Sequence, residues 1–251
     1  MKGEMVHTMC KEWRICIYLP PTYKIQLQGF PVVYIQDEGY LFRDHLNDLE
    51  EMTKSGKLQA MIFVGIKPNN RNNEYTPWNA KAILDQHEDY GGQGATYLNF
   101  LANDLKPYID KNYNTLSSPE NTGIAGASFG GLISMYAAYL HPEAFGRIAS
   151  ISGSFWYERF IEFMQSNDIV PNGCKIYMDV GTMEGVTKKS LQKNMVARNQ
   201  EAYAILLAKG LSQKDCRFVM AEGAVHDRTF FVRRFPAALQ WLFPVKRIKQ
   251  T

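Results

Sequence analysis

The sequence predicts an α/β fold: a mostly parallel sheet with helices on both faces and an antiparallel pair of strands at its N-terminal edge. Three observations carry this. From about residue 30 onward, short apolar runs alternate with amphipathic, helix-like segments. Continuous apolar runs mark strands buried on both faces, as parallel strands are. By contrast, the first two runs, 4–10 and 12–19, alternate in the way of half-buried strands. Finally, segment 122–139 joins an apolar strand to an apolar helix through Gly126-Ala127-Ser128-Phe129-Gly130.

Taken in order, the two edge strands end at Pro20-Pro21. Residues 30–36 (FPVVYIQ) form a buried strand that stops at Asp37-Glu38-Gly39. Residues 44–54 read as a helix with Leu46 and Leu49 on one face, closed by Gly56, and 59–66 (QAMIFVGI) as a second buried strand. Segment 67–94 is long, polar and without periodicity, and it holds Arg71, Glu74-Tyr75, Pro77, Trp78 and His87. A loop of that length inside a domain is usually functional. Its Gly91-Gly92-Gln93-Gly94 follows no strand and reads as a flexible hinge. Residues 95–113 form an amphipathic helix on Leu98, Leu101, Leu105 and Ile109, which Pro107 should kink. After the 122–139 unit come a strand at 147–152, a short helix near 157–165 and a strand at 175–180. A long helix at 188–209 follows, closed by Gly210, then a strand at 217–221 and a last helix to about Phe243. No repeat or linker interrupts the pattern, so residues 1–251 read as one domain.

A chain of 251 residues with formal charge +3 and scattered Lys and Arg carries no nucleic-acid footprint. The mild positive charge is compatible with an anionic substrate. No run approaches the roughly 18 apolar residues of a membrane span. The N-terminus shows no signal-peptide core, which predicts a cytoplasmic protein. Cys10, Cys16, Cys174 and Cys216 lack metal-ligand or CxxC spacing. They read as buried free thiols, with a Cys10–Cys16 bridge as the lesser alternative. No cofactor or metal is called for, and the oligomeric state is left open.

The G-x-S-x-G unit has a chemical reading. A sharp strand-to-helix turn would hold Ser128 strained at the carboxyl edge of the sheet, with small neighbours at Gly126 and Gly130. Its hydroxyl would stand at a helix N-terminus, where free N–H groups meet a developing oxyanion. Serine needs a base, and the base an orienting acid. Of five histidines, His7 lies in an edge strand, His45 at a helix start, His87 in the long loop and His141 at a helix end. Two follow the serine: His141 caps the helix after it, and only His226 lies directly after a strand and before the last helix. For the acid, Glu184 sits four residues beyond Val180; Asp179, within the strand, and Asp227, beside His226, are the alternatives. The oxyanion donors would be the N–H of Phe129 and that of Glu38 or Gly39. Tyr75, Trp78, Phe155, Trp156 and Tyr157 could stack on an aromatic acyl group or pack the core. Arg71 or Lys188 could meet an anionic ligand.

With Gly126–Gly131, Gly-Thr-Met-Glu before and including Glu184, and Gly-Ala-Val-His ending at His226, the chain resembles the putative esterase family of α/β-hydrolases. That family includes enterochelin-type siderophore esterases, feruloyl esterases, S-formylglutathione hydrolase and mycolyltransferases. Ser152-Gly153-Ser154-Phe155-Trp156, Glu74-Tyr75-Thr76-Pro77-Trp78 and Phe235-Pro236 add to the likeness. The first of these looks most like the siderophore esterases. The resemblance implies a serine carboxylic ester hydrolase with a small-molecule ester as substrate, its triad falling on Ser128, Glu184 and His226. An acyltransferase, a thioesterase or a non-catalytic binding homologue are the alternatives. The chain departs from the family twice. Asp37-Glu38 stands where Asp-Gly is usual, and the extra N-terminal domain of the larger enterochelin esterases is missing, so a bulky ferric complex would be recognised by this domain alone.

Overall fold

The computed structural model describes residues 2–83, 86–169 and 173–245. Strands β1 (Glu4–Cys10) and β2 (Trp13–Leu19) form a hairpin that pairs Glu4 with Leu19 and Cys10 with Trp13. Next come β3 (Val32–Ile35), α1 (Tyr40–Arg43), α2 (Leu46–Lys54), β4 (Ile62–Lys67) and α3 (Arg71–Glu74). A two-residue ribbon, β5 (Asn79–Ala80) with β6 (Tyr90–Gly91), precedes α4 (Gly94–Phe100) and α5 (Lys106–Asn112). The chain continues through β7 (Thr122–Ala127), α6 (Phe129–Leu140), β8 (Arg147–Ile151), α7 (Phe160–Ser166) and β9 (Lys175–Gly181). It closes with α8 (Met195–Ala208), β10 (Cys216–Ala221) and α9 (Arg228–Leu242).

Eight strands form one sheet in the order β1-β2-β4-β3-β7-β8-β9-β10. Pairings β1·β2 and β2·β4 are antiparallel, and all others in this sheet are parallel. This is the mixed α/β sheet with an antiparallel edge that the hydropathy pattern predicts. Successive strand residues point to opposite faces, so the sheet divides two cores. Val32 and Tyr34 join Ile124, Ile148 and Met178 on the side of α4–α8. Val33 and Ile35 join Phe63, Ala125, Ala149 and Tyr177 on the side of α1, α2 and α9. Fully burying one such side chain contributes about 1.5–3 kcal/mol. The same alternation removes the Cys10–Cys16 bridge: the two residues belong to opposite cores, and all four cysteines are free and buried.

Segment 67–94 is more ordered than its polarity predicts. It contains α3, capped by the Asn70 side chain accepting from the Asn73 N–H at 3.2 Å, and the β5–β6 ribbon. Gly91-Gly92 is part of this ribbon and its exit, which corrects the hinge reading. Gly92 has φ +65, and a Cβ there would stand 2.2 Å from the Trp78 carbonyl carbon, so the glycine serves a close backbone crossing. The expected helix over 95–113 is interrupted by a π-helical stretch, Leu101–Leu105, that ends two residues before Pro107. The proline has no N–H to offer the ladder, and the wider turn accommodates that loss. Among the described residues, no helix is long and apolar enough to cross a membrane.

Candidate active site

The carboxyl ends of the parallel strands lie along one edge of the sheet, where open α/β sheets bind ligands. The turn after β3 (Gln36 to Gly39), Ser128 after β7, Ser152 after β8, Glu184 after β9 and His226 after β10 all emerge there.

Ser128 sits between β7 and α6 with φ +58 and ψ −122. A non-glycine residue in such a region costs on the order of 1–3 kcal/mol. The surrounding backbone holds it: the Ser128 N–H donates to the Ile151 carbonyl at 3.0 Å, and its carbonyl accepts from Leu132 and Ser154 N–H groups at 3.0 and 3.1 Å. A Cβ at Gly126 would lie 2.5 Å from the Gly130 carbonyl, so this turn closes only around a glycine.

His226 Nε2 lies 3.0 Å from Ser128 Oγ, and its Nδ1 lies 2.7 Å from Glu184 Oε2. The ring is supported edge-on by Phe231, with centroids 4.8 Å apart. The loops carrying Glu184 and His226 are tied together. Met183 N–H donates to Ala224 O at 3.1 Å, and Gly223 N–H to Thr182 Oγ1 at 2.9 Å. Glu184 is 2% exposed. Its Oε1 accepts from Gly181 N–H at 2.7 Å and from the Ser152 hydroxyl at 2.5 Å. Burial opposes its ionisation, but the His226 contact, Ser152 and Gly181 outweigh it and hold the carboxyl below its ordinary value. Both alternative acids point elsewhere. Asp179 faces Ser152 and Arg234, while Asp227 accepts from Thr229 N–H at 2.8 Å and caps α9.

Phe129 opens α6, where the first-turn N–H groups have no helical acceptor. In the turn after β3, Asp37, Glu38 and Gly39 all have positive φ. Asp37 N–H donates to Tyr75 Oη at 2.8 Å and Gly39 N–H to Gln36 O at 3.1 Å. Of the two amides expected as second donor, that of Gly39 is therefore engaged within the turn.

The expected substrate-facing residues divide. Tyr75 and Phe155 are wholly buried, Phe155 stacked on Phe160 at 5.4 Å, so both pack the core and neither faces a ligand. Arg71 makes a bidentate pair with Asp37. Trp78 joins Tyr136, Tyr157, Phe160 and Phe163, and lines a surface cleft of about 420 Å³ with Arg159 and Glu162, to which Ser128 does not contribute. Trp156 packs against Phe129 at 5.5 Å, and its buried Nε1 has no hydrogen-bond partner among the described residues. Sequence reading missed Ser154, whose Oγ lies 3.2 Å from Ser128 Oγ, as well as Ser152 and Arg234. The two serines fall in the quoted Ser-Gly-Ser stretch; nothing distinguishes Arg234 from its neighbour Arg233.

A parallel sheet with a serine on a strained strand-to-helix turn, and a histidine supplied by the loop after a later strand, defines an α/β-hydrolase. Residues 6–242 match the sequence model of the Esterase family, described as "Putative esterase". The chain belongs to that family and is a serine ester hydrolase by class. It is 37% identical over 247 residues to the uncharacterized protein YbbA of Bacillus subtilis strain 168, covering 98% of this chain and 99% of that one. Over 100 residues it is 31% identical to the iron(III) enterobactin esterase of Escherichia coli K12, covering 37% of this chain and 23% of that protein. The siderophore hydrolase EstA of Aspergillus nidulans superposes with a TM-score of 0.74 at 16% identity, covering 96% of this chain and 94% of that one.

Proposed function

We propose that this protein cleaves carboxylic esters by a Ser128–His226–Glu184 triad through an acyl-enzyme. His226 Nε2 takes the Ser128 proton as Oγ attacks the ester carbonyl, and the negative charge collects on the carbonyl oxygen. The N–H groups of Phe129 and Glu38 receive that charge, and the imidazolium is stabilised by Glu184. His226 then gives its proton to the departing alcohol, which leaves the acyl group on Ser128. Water, deprotonated by the same ring, hydrolyses it. The observation that carries the reading is the unbroken contact chain Ser128 Oγ, His226 Nε2, His226 Nδ1, Glu184 Oε2, with links of 3.0 and 2.7 Å.

The substrate is proposed as a siderophore-type trilactone or an aromatic acyl ester. The named activities of the enterobactin esterase and EstA support this, as do the aromatic side chains Trp156 and Phe129 beside Ser128. Ser128→Ala tests the chemistry. Hydrolysis of an aryl acetate should fall by on the order of 10⁴–10⁶, with folding intact. An organophosphonate should label Ser128 in the unsubstituted chain. Turnover surviving in Ser128→Ala would refute the assignment. A panel of trilactones, feruloyl esters and acyl thioesters would then rank the substrates.

A further inference from the structure

Glu184 can orient His226 only if its carboxylate does not rotate. One oxygen faces the imidazole; the other must be held. Gly181 supplies a fixed backbone N–H, but the second donor, the Ser152 hydroxyl, is a rotor with one proton and two lone pairs. Arg234 aims that rotor. Arg234 Nη2 lies 2.7 Å from Ser152 Oγ. A guanidinium can only donate, so it occupies a lone pair of Ser152 and leaves the hydroxyl proton for Glu184 Oε1. Arg234 Nη2 also stands 3.5 Å from that same Oε1.

Arg234 is itself anchored on three sides. Its side chain is 12% exposed, its Nε donates to Phe230 O at 3.2 Å, and its Nη1 lies 3.1 Å from Asp179 Oδ1. That last contact is an ion pair whose angle falls short of a hydrogen bond. Asp179 in turn accepts from Ser152 N–H at 3.3 Å, so Ser152 is gripped at both its amide and its hydroxyl. Ser152 has φ +48, a strained value that this grip sustains. The arrangement is charge-matched to the reaction. Above the pH at which Asp179 ionises, Asp179, Glu184 and Arg234 sum to one negative charge, and an imidazolium at His226 brings the group to zero.

We infer that Arg234, acting through Ser152 and braced by Asp179, is a positioning residue that locks the Glu184 carboxylate toward His226; the inference rests on the triad reading above. Arg234 touches neither Ser128 nor the imidazole, so its effect belongs in kcat and in the state of the His226–Glu184 proton.

Two variants test it, each with an aryl acetate as substrate. Arg234→Gln combined with Asp179→Asn removes the guanidinium without leaving a buried carboxylate unpaired. Ser152→Ala removes only the hydroxyl that relays it, and folds if the first does not. In each, kcat should fall by on the order of 10–10³, less than loss of the acid itself, with KM changed by less than about threefold. The low-field proton NMR signal of His226 Nδ1–H should move or be lost to exchange. Arg234→Lys, whose ammonium can still donate to Ser152, should recover part of kcat. Folded variants with unaltered kcat and an unmoved Nδ1–H signal would overturn the inference. If Ser128→Ala is inactive while Ser152→Ala turns over normally, Arg234 alone is misassigned; if Ser128→Ala stays active, the triad reading itself falls.

Discussion

Arg71 grips Asp37 with two parallel hydrogen bonds, Nε to Oδ1 at 2.7 Å and Nη2 to Oδ2 at 3.0 Å. The pair clamps a turn in which Asp37 and Glu38, neither of them glycine, have φ of +56 and +58. Each such residue stores on the order of 1–3 kcal/mol, and a planar fork is well suited to offset that strain. The guanidinium also lies 5.8 Å from the Phe129 ring. The clamp therefore spans both halves of the proposed oxyanion site.

Arg71→Ala should loosen the Glu38 amide and lower kcat by roughly 10–10²-fold, up to the cost of one lost oxyanion donor. KM for a neutral aryl ester should change little. Steady-state kinetics on neutral and anionic esters distinguish the alternative. If only KM for anionic esters rises, Arg71 is a substrate ligand and the clamp is incidental.

The two candidate acids flanking the site make separable predictions. Glu184→Gln keeps the shape but weakens both the orientation of His226 and the stabilisation of its cation, so kcat should fall by on the order of 10²–10⁴. Asp227→Ala removes the α9 cap and should lower the melting temperature while leaving kcat unchanged. Activity and thermal denaturation, measured on both variants, decide; a larger kcat loss in Asp227→Ala would mean that the acid is misplaced.

The parts legible in the sequence are those with local signatures. The apolar runs around Val33, Val64 and Ile124 announce parallel strands because burial on both faces leaves no polar positions. Gly126 announces the turn because a Cβ there would lie 2.5 Å from the Gly130 carbonyl. Chain order after strands singles out His226 and Glu184, which the fold brings into contact with each other and with Ser128. What stayed hidden is set by tertiary contact. Tyr75 looks like an amphipathic aromatic in a polar loop, yet it is fully buried, with its hydroxyl on the Asp37 amide. Arg234 looks like one of several cations on the last helix, and only the fold brings it to Ser152. The ribbon at Asn79–Ala80 is too short for any periodicity to register.

Asp179 gives a pH dependence. Burial raises its carboxyl from 3.8 to about 7, against the opposing pull of Arg234 and the Ser152 amide. Between these values the folded chain holds a proton that the unfolded chain has released, so stability falls as pH rises through the window and levels off above it. Glu184, held below its ordinary value, acts in the opposite sense: its contribution is present above 4.5 and lost as pH falls through its folded value. Glu184 titrates in both the unsubstituted chain and Asp179→Asn, so comparing the two isolates Asp179. From about pH 5 to about pH 8, the urea midpoint of Asp179→Asn should fall less than that of the unsubstituted chain. Equal slopes would mean that Asp179 stays ionised throughout.

The two tryptophans near the site should part in their effects. Trp78 is held as scaffold: its Nε1 donates to Glu158 O at 2.9 Å, its carbonyl accepts from the Tyr157 hydroxyl, and its ring packs 5.7 Å from Phe163. Trp78→Ala should cost about 2–4 kcal/mol of stability, near the lower end for a large aromatic because the ring is half-buried. Well below the melting temperature, it should leave the ratio of kcat/KM for an aromatic acyl ester to that for an acetyl ester unchanged. Trp156 packs instead on Phe129, next to Ser128, and its indole N–H has no partner among the described residues. Trp156→Ala should therefore cut that ratio, by the equivalent of about 1–3 kcal/mol in lost contacts to the larger acyl group. Taking the ratio on one enzyme preparation removes the fraction unfolded from the comparison. If Trp78→Ala shifts the ratio and Trp156→Ala does not, the acyl group lies along the 67–94 segment and Trp156 is the packing residue.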